Sequence, residues 1–106
     1  MVRAPDVPAV EVTLRPKAER DLRRLQTGER KRIADALRLL AAGAENLDVK
    51  ALRGATPWLR LRLGNYRVLY TVVPYGPARS ALVVARIVDR RDLDRAVATL
   101  GKPAEP

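Results

Sequence analysis

The chain contains no cysteine and no histidine among its 106 residues. The first absence excludes disulfides and thiolate nucleophiles. Both together exclude the common zinc sites and every Ser–His or Cys–His nucleophile pair. A metal held by carboxylates alone would need an acidic cluster, and the sequence offers none, so neither a metal nor another cofactor is expected. Long apolar runs are missing too. No segment approaches the roughly 20 residues of a membrane-spanning helix. The N-terminal MVRAPDVPAV lacks the apolar stretch of a signal peptide. A cysteine-free chain fits a reducing compartment, and a soluble, cytoplasmic protein is expected.

What the chain does have is positive charge. Lys and Arg total 21 against 12 Asp and Glu, a formal net charge of +9. Such a balance points to an anionic partner: nucleic acid, an acidic membrane surface or an acidic protein. Most of the excess is arginine, whose planar fork matches phosphate and carboxylate better than lysine does. The length supports one domain, 1–106, with flexible ends expected at 1–8 and 101–106.

Hydrophobic spacing orders the chain. VEVTL at Val10 to Leu14 alternates and suits a strand. Pro16 opens a helix to about Gln26, with Ala18, Leu22 and Leu25 on one face. A break at Thr27-Gly28 precedes a second helix from Glu29 to about Ala42, carrying Ile33, Ala36, Leu37 and Leu40 on its apolar face. So short a break predicts an antiparallel helical hairpin. Val49 to Leu52 suits a short strand, Gly54 to Pro57 a turn, and ALVVARIV at Ala81 to Val88 an inner strand. From Asp92, a candidate N-cap, the stripe Leu93, Ala96, Val97 and Leu100 predicts a short helix. The fold class is therefore α+β: a mainly antiparallel sheet with an N-terminal helical hairpin packed on one face and a short C-terminal helix.

One segment carries more than structure. WLRLRLGNYRVLY, Trp58 to Tyr70, alternates strictly and turns at Gly64-Asn65, so it reads as a β-hairpin. A two-residue turn pairs Leu63 with Tyr66, Arg62 with Arg67, Leu61 with Val68, Arg60 with Leu69 and Leu59 with Tyr70. Leu59, Leu61, Leu63, Tyr66, Val68 and Tyr70 then share a core face. Arg60, Arg62 and Arg67 share the other, beside Trp58 and Leu69. Directly opposed like charges cost a few tenths to about 1 kcal/mol, and an anionic partner is a reason to keep them. A sheet covered on one face leaves the second open, so Arg60, Arg62, Arg67 and Arg90 are expected exposed together in one concave basic patch.

The order of elements, with LDVKALRG ahead of that hairpin and IVDRRDLDRAV at the end, resembles the RelE/ParE toxin superfamily of bacterial type II toxin–antitoxin systems, from about Val10 to Ala96. The resemblance implies an activity, since RelE-like members cut mRNA in the ribosomal A site with basic residues and no metal. By position, Arg53 of LRG matches a basic family site, and Arg60 and Arg62 fall where such toxins place two basic residues on one strand. Arg67 matches the arginine after the turn, and Arg90 the one near the end of the last strand, with Arg91 beside it. On this reading Arg62, Arg67 and Arg90 are catalytic, while Arg53, Trp58, Arg60 and Arg91 bind RNA. The chemistry implied is attack of a ribose 2′-hydroxyl on the adjacent phosphorus, with arginines stabilising the developing charge.

RelE-like enzymes often carry a C-terminal tyrosine soon after the last arginine; here Asp94 stands in that place. Arginine stays protonated and is a poor base, which makes Asp94 the candidate proton acceptor. Tyr66 and Tyr70 fall on the expected core face and Tyr75 in a remote loop. The missing tyrosine favours a second reading, a ParE-like inhibitor of DNA gyrase that cuts no RNA. A third is a degenerate toxin that binds only its antitoxin. The partners implied are a cognate antitoxin with an acidic or amphipathic segment, forming a toxin–antitoxin hetero-oligomer, and either the ribosome with mRNA or DNA gyrase, with no membrane. Against these stand plainer roles: a solvated sheet face for the hairpin arginines, an edge-of-core position for Trp58, cover of apolar surface for Arg53, and local ion pairs of Arg90 and Arg91 with Asp89 and Asp92.

Overall fold

The computed structural model describes residues 9–74 and 76–101; the N-terminal arm, Tyr75 and the tail beyond Gly101 lie outside them. Strand β1 (Ala9–Leu14) leads into helices α1 (Pro16–Arg23) and α2 (Thr27–Ala41). Strands β2 (Asp48–Ala51), β3 (Leu59–Leu63), β4 (Tyr66–Pro74) and β5 (Arg79–Asp89) follow, then a 3₁₀ turn (Arg90–Asp92) and α3 (Leu93–Val97). The sheet order is β1-β5-β4-β3-β2. Every neighbour pair is antiparallel except β1 with β5, which is parallel. The architecture is thus α+β, as the patterning predicts. Among the described residues no helix is long and apolar enough to cross a membrane.

The hairpin register agrees pair for pair with the sequence reading, from Leu63 opposite Tyr66 to Leu59 opposite Tyr70. Gly64 takes φ +59°, and among the described residues no non-glycine residue has a positive φ. The turn therefore needs its glycine at the first central position only. On the helix-facing side Leu61, Val68, Tyr70, Leu82, Val84 and Ile87 pack against Ala18 of α1 and Ile33, Ala36 and Leu37 of α2. The α2 residues recur at the spacing of one helical face. Each fully buried aliphatic side chain contributes about 1.5–3 kcal/mol of transfer free energy.

Three expectations need correction. The break between the helices falls at Arg24 to Gln26, not at Thr27-Gly28, which sit in the first turn of α2. Amide groups there lack helical partners in any case, so a glycine costs little. Second, Asp89 rather than Asp92 caps the C-terminal turn: its Oδ1 accepts the Arg91 amide at 2.9 Å, and Asp92 makes no side-chain cap.

The third correction matters most for the site. The second face of the sheet is only partly open. Leu69, Ala85 and Val88 are buried there beneath Leu52, Trp58, Ala96 and Leu100. An irregularity in β5 makes this possible. Leu69 pairs with Arg86 but Tyr70 with Val84, so Ala85 has no partner in β4. This extra residue is a bulge. Val84 and Ile87, three apart, both face the helices, while Ala85 and Val88 both face the second core.

Candidate functional site

The covered part of the second face lies at the base of the hairpin, and the turn end remains charged. Pairing places Asp48 of β2 opposite Arg62, Arg62 opposite Arg67, and Arg67 opposite Val88. One step toward the base, Lys50 stands opposite Arg60 and Arg60 opposite Leu69. Two rows of one sheet face therefore bring together Arg60, Arg62, Arg67, Lys50 and one carboxylate, Asp48. Arg90 joins from the end of β5, where its amide donates to the Asn65 carbonyl in the hairpin turn at 2.8 Å.

Asp48 lies between two arginines, 3.9 Å from Arg60 Nη1 and 3.8 Å from Arg62 Nη1. Neither separation is a good hydrogen bond, so one carboxylate is shared loosely by two guanidinium groups. The Arg62 side chain is 59% exposed, whereas that of Arg60 is 14% exposed. Arg60 is thus not the exposed residue expected of it; Nη1 is buried and has no hydrogen-bond partner. A buried donor of that kind costs about 1–3 kcal/mol.

Arg67 is positioned by its own hairpin, its Nη1 donating to the carbonyls of Gly64 at 2.9 Å and Tyr66 at 3.0 Å. Partial burial holds its guanidinium below the usual arginine range. Repulsion from Arg62, Arg60 and Arg90 adds to the effect, and Asp48 opposes it. The structure therefore joins four sequence-predicted arginines, Arg60, Arg62, Arg67 and Arg90, in one electrostatic unit.

The other expected residues stand apart. Trp58 is 2% exposed, its Nε1 donates to the Gly101 carbonyl at 3.0 Å, and the Arg15 guanidinium carbon lies 5.3 Å from the ring centroid. The ring has no face free for a nucleobase. It anchors the second core. Arg53 is exposed in the loop after β2, beyond Leu52, whose amide bonds the Trp58 carbonyl. Along the sheet Trp58 is two strand positions, about 7 Å, from Arg60 and four, about 13 Å, from Arg62, and Arg53 lies beyond it. Arg91 turns back to Asp89, its Nε 3.0 Å from Oδ1; the hydrogen bond from the Arg91 amide, with this side-chain pairing adding to it, pulls the Asp89 carboxyl below its ordinary value. Asp94 is exposed on α3, and no hydrogen bond or ion pair joins it to Arg60, Arg62, Arg67 or Arg90. The Tyr66 hydroxyl donates to Glu29 Oε1 at 3.0 Å, and Tyr70 is 3% exposed, so both phenols belong to the helix side.

Sequence reading missed Asp48 and Lys50. Their signal lay in DVKA, where Asp48 and Lys50 alternate with Val49, but it becomes visible only once β2 is paired with the arginine strand.

The fold is thus an α+β sheet with a helical hairpin on one face and a cluster of arginines on the other. The family described as "ParE toxin of type II toxin-antitoxin system, parDE" matches residues 12–94. The chain belongs to this family and is the toxin of a type II toxin–antitoxin system. Solved structures agree on the fold. A RelB-RelE antitoxin–toxin complex from Methanococcus jannaschii is similar at 20% identity and TM-score 0.56, over 78% of this chain and 95% of that one. The archaeal RelE-RelB complex from Pyrococcus horikoshii OT3 gives 23% identity and TM-score 0.60, over 77% and 96%. The toxin–antitoxin complex RelBE2 from Mycobacterium tuberculosis gives 27% and 0.51, over 79% and 100%. No curated protein matches the chain.

Proposed function

We propose that the chain is a ribosome-dependent mRNA endonuclease that works without a metal, and that Arg60, Arg62, Arg67 and Arg90 hold the scissile phosphate. The observation that carries this reading is the four-arginine cluster, in which Arg60 Nη1 is buried without a hydrogen bond and has only the loose 3.9 Å ion pair to Asp48. Such a group is an incomplete ion pair, and a phosphoryl oxygen completes it with charge-assisted hydrogen bonds. Donors fixed before substrate arrives need no reorganisation as negative charge develops, which is where such sites lower barriers most.

Proton transfer falls to Asp48. A carboxylate held between Arg60 and Arg62 lies where the phosphate would sit, which Asp94 does not. The ribose 2′-hydroxyl gives its proton to Asp48 and attacks phosphorus. The bond from phosphorus to the 5′-oxygen breaks. A 2′,3′-cyclic phosphate remains on one fragment, and the leaving 5′-oxygen takes a proton from water. Arg67 and Arg62 stabilise the phosphoryl oxygens. Arg90, at the open end of the cluster, faces the leaving group. A general base of this kind is worth about 10²–10⁴-fold in rate.

The test is induced expression followed by mapping of new mRNA 5′ ends in ribosome-bound message. The wild type should cut. Asp48→Asn should cut at least about a hundredfold more slowly, and Arg67→Ala should not cut. A second reading rests on the ParE description of the matched family and on the burial of Trp58: gyrase inhibition without RNA cleavage. Intact mRNA combined with lost DNA supercoiling would establish that reading in place of the first.

A further inference from the structure

A strand of RNA held at one phosphate has to leave the arginine cluster on both sides, and the fold closes most ways out. The base of the hairpin is walled off, because Trp58 and Leu69 are buried with Leu52, Ala96 and Leu100 in the second core. The β5 side is closed too, since Val88, opposite Arg67, belongs to the same buried group. Two directions remain. One crosses β2, the last strand of the sheet, and the other passes over the turn at Gly64-Asn65. Each carries a cation outside the four-arginine unit. Lys50 is exposed on β2, opposite Arg60 and one strand spacing, about 5 Å, nearer the edge. Arg32 reaches the turn from α2, on the helix side. A β-carbon at Gly64 would stand 3.4 Å from its Nη2 and 3.7 Å from its Nη1, so the guanidinium lies against the turn. The Gly64 carbonyl also accepts Arg67 Nη1 at 2.9 Å, which puts the two guanidinium groups at most about 10 Å apart, with one glycine between them. Neither Lys50 nor Arg32 has a hydrogen bond or an ion pair among the described residues. The acids on their own elements are committed elsewhere: Asp48 to Arg60 and Arg62, Asp35 to Arg38, and Glu29 to the Tyr66 hydroxyl.

We propose that Lys50 and Arg32 seat the phosphates that flank the scissile one, on a single track for RNA that runs from the β2 edge through the cluster and over the hairpin turn. The inference rests on the cluster holding the scissile phosphate. Direction and charge select these two residues together: each stands in one of the two open ways out, and each has its full charge to offer. The track is curved. Arg32 lies round the turn from Lys50, so phosphates bound to both follow a bend over a few nucleotides. A single strand bends that sharply at little cost. A duplex, whose persistence length is about 150 base pairs, does not. The track thus selects single-stranded RNA by the path of its backbone, with no base read. Gly64 is part of the device, because a side chain at that position would press on the Arg32 guanidinium. Lys50 and Arg32 are positioning residues. They hold the strand in place and leave the chemistry to the cluster.

The test is the salt dependence of binding. The probe is a fluorescent single strand of eight deoxyuridines, which has the phosphates of the substrate and no 2′-hydroxyl to attack them, titrated against the full chain by anisotropy over a range of salt concentrations. Each phosphate contact on a single strand contributes about 0.7 to the slope of log affinity against log salt. Lys50→Ala and Arg32→Ala should each lower that slope by about 0.7, and the double variant by about 1.4. Lys31→Ala removes the same charge from an exposed position one residue from Arg32 and should leave the slope unchanged. All three positions are exposed, and circular dichroism verifies folding. Slopes that stay at the wild-type value in Lys50→Ala or in Arg32→Ala overturn the proposal. A slope lowered as much by Lys31→Ala as by Arg32→Ala also overturns it, because general charge would then explain the loss. The probe cannot be cut, so failure of the nuclease reading shows separately: a chain that leaves mRNA intact would sink cleavage and leave the track to the titration. Binding unchanged in Arg62→Glu/Arg67→Glu would show that the cluster holds no phosphate and would remove the ground for both.

Discussion

Trp58 offers the sharpest test of how the second face is built. Truncation to alanine removes a ring buried among Leu52, Leu69, Ala85, Val88, Ala96 and Leu100. Large aromatic-to-alanine changes in a core cost about 3–5 kcal/mol. The lost bond from Nε1 to the Gly101 carbonyl adds about 1 kcal/mol, and the Arg15 guanidinium over the ring about 0.5–1 kcal/mol. These contributions share atoms, so about 4–5 kcal/mol is expected rather than the full sum. Against a typical domain stability of about 5–15 kcal/mol, Trp58→Ala should lose between about a third and nearly all of the stability. Trp58→Phe keeps most of the volume and loses the N–H, so about 1–2 kcal/mol is expected. That corresponds to a fall in melting temperature of roughly 5–12 °C for a domain of this size. Thermal and urea unfolding by far-ultraviolet circular dichroism measures it without relying on tryptophan emission. A Trp58→Ala protein that melts within about 2 °C of wild type yet has lost RNA binding would refute the reasoning and make the ring a stacking platform.

Other perturbations follow from single contacts. Asp21→Ala leaves Arg86 and the Ile87 amide without their acceptor and should cost about 2–4 kcal/mol in urea unfolding, reduced from the fully buried case because Arg86 is partly exposed. Arg67→Ala should abolish toxicity while changing stability by less than about 1 kcal/mol, because relief of repulsion from Arg62, Arg60 and Arg90 offsets its two backbone hydrogen bonds. An unfolded variant or a fully toxic one contradicts this. The phenols give a pH dependence. Burial raises Tyr66, with the Glu29 hydrogen bond adding to it, and burial alone raises Tyr70. The fold therefore favours the neutral phenols. Their stabilisation is complete below the unfolded tyrosine value near 10 and is lost as pH rises from there through the folded values. Unfolding midpoints should decline above about pH 10, and less steeply in Tyr66→Phe.

The hairpin was legible in the sequence because its information is local. Strict alternation fixes the face of each side chain, and Gly64-Asn65 fixes the register, so the pairing of Arg62 with Arg67 follows without tertiary knowledge. The helical hairpin was legible for the same reason, apart from its break, since Gly28 resembles a stop signal even in a first turn. What required the structure was long-range. Trp58 lies in the same alternating run as the arginines, and its burial depends on Ala96 and Leu100 near the other end of the chain. Asp48 belongs to the site only because β2 pairs with β3 in one particular register. Asp94 followed from position along the chain, and position along a short helix says little about direction in space.

The extra residue of β5 also determines which changes in length the strand can absorb. Val84 and Ile87, three apart, share the helix side because Ala85 is inserted opposite the step from Leu69 to Tyr70. Deleting Ala85 would restore regular alternation and leave Arg86, Ile87 and Val88 on the sides they now occupy. The loss would be one alanine from the second core and the local bend of the strand. A one-residue deletion at Ile87, beyond the bulge, would instead turn Val88 toward the helices and displace the strand's exit, which carries Arg90 to the Asn65 carbonyl. A deletion scan should therefore report Ala85 as far more tolerant than Ile87.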